Sequence, residues 1–120
     1  MQNQPIAIIL VADRAAPSRI EVAAALTDLI VLGGALKTIE SAAQREDDNH
    51  NPQVAALAAA GHALAFDAHA SALDHFKGGD STGLVDAARF AEQGIESASY
   101  LIAAIGVVAP SFVRDVLPSA

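Results

Sequence analysis

Two histidines, His62 and His69, are the side chains in this sequence best suited to chemistry near neutral pH, where imidazole gains and loses its proton. They stand seven residues apart on one helix face, about 10 Å along the axis at 1.5 Å rise per residue. Such a pair cannot close on a single metal ion, because a helical chelate needs ligands three or four residues apart, as in His-Glu-x-x-His. The positions that would supply the second ligand hold Ala65 and Phe66 after His62, and Ala72 and Leu73 after His69. No Glu-x-x-His occurs, so no metal and no other cofactor is expected. The two histidines instead belong to a stripe, His62, Phe66, His69, Leu73 and Phe76, that steps by three and four residues. This stripe is read as an interaction interface whose histidines couple protonation to assembly.

The acidic residues offer less. Asp86, Arg89, Glu92 and Glu96 share one helical segment, and their spacing predicts a solvated face with i,i+3 ion pairs of small value. Asp47-Asp48-Asn49 has neither the glycine nor the distal glutamate of a calcium loop and reads as a connection. The chain has no G-x-S-x-G nucleophile context, no G-x-G-x-x-G and no Walker loop. Lys77-Gly78-Gly79 falls at a helix C-terminus, the wrong end of the dipole for a phosphate. An enzyme is therefore not expected.

His75 opens a different possibility. The string His75-Phe76-Lys77-Gly78-Gly79-Asp80-Ser81-Thr82-Gly83 resembles the phosphoacceptor region of histidine phosphotransfer domains, helical bundles of about this size. The resemblance covers about nine residues and implies His75 as phosphoacceptor. In that family the lysine follows three residues after the histidine, on the same face; here Lys77 follows two after His75, roughly 200° around the helix.

Composition narrows the partners. With 14 acidic and 7 basic residues the formal net charge is -7, which repels phosphate backbones and argues against nucleic acid. A basic or apolar protein surface suits it better. Cysteine is absent, which excludes disulfides, thiolate metal sites and cysteine nucleophiles. The segment 6–11 is apolar but short and lacks a basic leader, so it is not read as a signal peptide. No membrane span is expected: the longest apolar stretch, 20–36, is interrupted by Glu21 and Asp28.

These side chains need helices to position them. Hydrophobic residues make up 52% of the 120, aromatics only 4%, and alanine, the best helix former, roughly a quarter. The first helix is predicted at about 19–45, with Ser18 as N-cap and Glu21 completing a capping box. Its buried face is predicted as Ile20, Ala23, Leu26, Ile30, Gly33 and Leu36, extended by Ile39, Ala42 and Ala43. The Gly33-Gly34 pair implies either a close crossing or a kink. The second helix, about 52–77, starts from an Asn51 cap with Pro52 in its first turn, and Gly78 is predicted as a left-handed stop. The third, about 82–106, is capped by Asp80 or Ser81. Ala58, Gly61, Ala65, Ala68 and Ala72 form a small stripe on the second helix, matched by Ala87, Ala91, Gly94 and Ala98 on the third, and the two predict a tight antiparallel hairpin. Residues 6–11 form a short N-terminal element, strand or helix, and Ser111 onward adds a terminal turn.

The expected fold is a single all-α domain over 1–120, an antiparallel bundle of three long helices plus that N-terminal element. The expected function is that of a small acidic, cytoplasmic, non-enzymatic interaction or regulatory protein acting through a helical apolar face as a homodimer. The alternative is a histidine phosphotransfer-like module using His75. A pocket lined by Phe66, His69 and Tyr100 is a weaker third reading.

Overall fold

A computed structural model describes residues 17–48, 50–78 and 80–114. The predicted element at 6–11 lies outside them. Among the described residues there are four helices and no strand: α1 (Arg19–Ala43), α2 (Pro52–Gly78), α3 (Ser81–Val108) and the short α4 (Pro110–Arg114). The fold is the expected all-α bundle.

The predicted starts follow from local hydrogen bonding. Ser18 Oγ accepts from the Glu21 amide at 3.1 Å while the Glu21 carboxylate accepts from the Ser18 amide at 2.8 Å, a complete capping box. Asn51 Oδ1 accepts from the Val54 amide at 3.1 Å, and Asp80 Oδ1 accepts from the Gly83 amide at 2.7 Å. Each cap satisfies one of the amides that a helix start leaves without an intrahelical acceptor. The stop at Gly78 is different from the expected one. Gly78 is the last residue of α2 itself, and its φ is outside the left-handed region.

Three contacts fix the direction of α1 against α2: Arg19 meets Phe76, Gly33 meets Phe66, and Leu36 meets Gly61. Residue numbers rise on one helix as they fall on the other, so the pair is antiparallel. Gly94 against Ala68 and Gly61 against Leu101 fix α3 antiparallel to α2 in the same way. Helix α2 packs extensively on both neighbours and is the centre of the bundle.

The core has two kinds of wall. From α1 come the large side chains Val22, Leu26, Leu29, Leu36 and Ile39; from α2 and α3 come mainly alanine and glycine. The small stripes meet as predicted, and most of their members are fully buried. A methyl group on Gly94 would lie 2.3 Å from Ala68 Cβ, closer than side-chain carbons come. The same methyl would be 2.9 Å from Leu29 Cδ2, and one on Gly61 would be 2.7 Å from Leu36 Cδ1. The leucines of α1 thus drop into the space that the alanine and glycine residues leave open, which is how a core poor in aromatics still packs densely. Among the described residues no polar or charged side chain is buried. Phe112 and Val113 of α4 fold back against the same core.

The predicted buried face of α1 needs correction. Ile20 is 83% exposed and Ile30 47% exposed, whereas Val22 and Leu29, absent from the predicted face, are buried. Helix α1 is apolar nearly all round, so apolar spacing alone gives two overlapping readings of its inner face. Gly33 explains itself by close approach: a methyl there would lie 2.7 Å from the Phe66 ring. Around Gly34 nothing lies within 4 Å, and α1 runs unbroken through both glycines.

Candidate interaction faces

The helix spacing does bring His62, Phe66, His69, Leu73 and Phe76 onto one side of α2, and much of that side packs inside the chain. His62 Nε2 lies 2.7 Å from Glu40 Oε1 on α1, with both side chains about four-fifths covered, and its other ring nitrogen, Nδ1, is buried without a hydrogen-bond partner. That geometry lets Nε2 donate to the carboxylate and holds the ring between α1 and α2. Phe66 tilts against the His62 ring, centroids 5.9 Å apart, and covers the backbone of Gly33. Leu73 and Phe76 pack on the core, and the Arg19 guanidinium lies 4.3 Å from the centre of the Phe76 ring. His69 is half-buried.

His75 sits in the last turn of α2. Its ring stacks on Phe90 of α3 at 5.2 Å with an angle of 11° between the planes, and the side chain is half-buried. The turn behind it is tight: a methyl group on Gly83 would fall 2.7 Å from the His75 carbonyl oxygen. On α3, Arg89 pairs with Asp86, as the i,i+3 spacing predicts.

A groove of about 270 Å³ runs between α2 and α3, lined by Leu64, Asp67 and Ala68 on one helix and Phe90, Gln93 and Gly94 on the other, among others. It includes none of Phe66, His69 and Tyr100, the three residues of the expected pocket, and Tyr100 is 73% exposed. No three histidine, aspartate or glutamate side chains gather at metal-binding distance among the described residues.

A further apolar face, not among the expected ones, lies on the outer side of α1. Ile20, Ala24, Thr27, Val31, Gly34 and Thr38 are all exposed, and none carries a charge. The two hydroxyls on this face already donate within the helix: Thr27 Oγ1 to the Ala23 carbonyl at 3.1 Å and Thr38 Oγ1 to the Gly34 carbonyl at 3.0 Å. What remains outward is methyl groups, two large aliphatics and a bare glycine. The charged residues of α1 stand beside or behind this face: Arg19 on Phe76, Glu21 in the cap, Glu40 on His62, and Asp28 and Lys37 on its two flanks. Helix α1 is long and apolar enough to cross a membrane, with only 33% of its most apolar stretch buried in the bundle. A signal was present in the sequence, the alternating four- and three-residue steps from position 20 to position 38.

No protein-family model, no curated protein and no solved structure matches this chain.

Proposed function

We propose that this chain is a small, non-enzymatic interaction protein that works through an apolar helical face, as a homodimer, with the outer side of α1 as that face. One observation carries the reading: one face of a surface helix, about 27 Å long from position 20 to position 38, presents six exposed residues and no charge among them. Isolated apolar residues on a surface are ordinary, but a contiguous patch marks an interaction site. The acidic remainder of the molecule, at net charge -7, keeps the free protein soluble and favours partners with a basic or apolar surface over nucleic acid.

The mass of the protein in solution tests this, by light scattering across a concentration series. A mass of two chains supports the homodimer; the mass of one chain at every concentration sinks it. The phosphotransfer alternative has less support, because the His75 ring has one face covered by Phe90. Incubation with a phosphorylated receiver domain decides it, and absence of transfer to His75 ends that reading.

A further inference from the structure

The geometry points to a specific partner and orientation for the outer face of α1: a second copy of the same helix, parallel and in register. The inference rests on the reading above that this face mediates self-association, and it says how. Ile20, Ala24, Thr27, Val31, Gly34 and Thr38 are spaced 4, 3, 4, 3 and 4 residues apart. That is the 3.5-residue period at which two helices supercoil and keep one seam in contact. All six positions are exposed, opposite the buried side of α1 formed by Val22, Leu29 and Leu36. The seam holds small or β-branched residues, which allow close approach, and its only two hydroxyls already donate within α1. Pairing therefore leaves no side-chain donor stranded.

The flanks select the orientation. Glu21 and Asp28 lie along one edge of the seam, and Ala23, Ile30 and Lys37 along the other. In an antiparallel pair each edge meets its own counterpart, so the acidic edge faces a second acidic edge. In a parallel pair the acidic edge meets the edge that carries Lys37 and no acid. Like charges held together across a seam oppose pairing, so the parallel arrangement is favoured. A bilayer is a poorer occupant: α1 could span one only by leaving α2, which would carry Glu40 and the exposed carboxylates Glu21 and Asp28 toward hydrocarbon.

The absence of native cysteine makes a direct test available. Two single variants, Ile20→Cys and Thr38→Cys, place one thiol at either end of the exposed seam, and Ser99→Cys on α3 serves as an exposed control. Under mild oxidation the proposal expects each seam variant to cross-link to itself well beyond the control. It also expects Val31→Asp to weaken association at least about tenfold, since an unpaired carboxylate would be buried at the seam, with the helical circular dichroism unchanged. Cross-linking only when the two seam variants are mixed would mean antiparallel pairing and overturn the proposal. A stable dimer in which neither variant cross-links beyond the control would overturn it as well, leaving the homodimer reading intact with its interface elsewhere. Monomer at every concentration would end both. In that case a seam thiol shielded from alkylation would give the face to residues 1–16, and one shielded only by phosphatidylcholine vesicles would give it to lipid.

Discussion

Gly94 and Gly33 are both buried glycines in mid-helix, yet their surroundings predict different tolerance. At Gly94 an added methyl meets Ala68 Cβ at 2.3 Å, and that atom is fixed to its backbone. Gly94→Ala is expected to destabilise the fold by about 1–3 kcal/mol through overpacking, despite the gain of about 1 kcal/mol in helix propensity. At Gly33 the obstacle is the Phe66 ring, which can rotate about its side-chain bonds, so Gly33→Ala should cost less. Urea unfolding of the two variants side by side checks the order. Glu40 gives a third test. Glu40→Ala leaves the His62 Nε2 without its acceptor in a site that is only partly wet, at an expected cost of about 1 kcal/mol. Equal stability of Glu40→Ala and the native chain would mean that water replaces the carboxylate without loss. The partner of His62 was hidden from the sequence. Helical spacing puts His62 on a face, but Glu40 is 22 residues earlier on another helix, and only the register of α1 on α2 joins them.

Caps and seams read well at the level of helices, because both are local. Ser18, Asn51 and Asp80 announce their helices through residues three positions away, and the small stripes of α2 and α3 declare a tight hairpin because nothing larger would fit. Ser18→Ala should cost about 1 kcal/mol by removing the hydroxyl that holds the Glu21 amide. Thermal melts compared with Ser18→Asp, which can still accept that hydrogen bond, isolate the cap from any general effect of the site. The inner face of α1 was not legible in the same way. A helix amphipathic by a wide margin shows its buried side; α1 carries Ile, Leu, Val or Ala around most of its circumference, and the choice falls to the alanine groove of α2 and α3, which is a tertiary fact. The predicted stop at Gly78 failed for a related reason: glycine permits a left-handed turn but does not compel one.

For the whole molecule, an apolar outer helix in an acidic protein predicts stability that depends on concentration. If association through α1 stabilises the folded chain, the melting midpoint rises as the protein is concentrated. Val31→Asp should abolish that dependence while leaving the dilute melting point close to native, since Val31 is 59% exposed in the single chain. A midpoint independent of concentration in the native protein would count against self-association. The division of the core into leucine-bearing α1 and alanine-bearing α2 and α3 has a thermal consequence of its own. Buried alanines have no rotamers to lose on folding, and each removes little apolar surface from water. Unfolding therefore exposes less hydrocarbon per residue than in a bundle packed with leucine throughout. The heat-capacity increment should be correspondingly small and the curve of stability against temperature broad. Chilling should weaken this bundle less than a leucine-packed one of equal length.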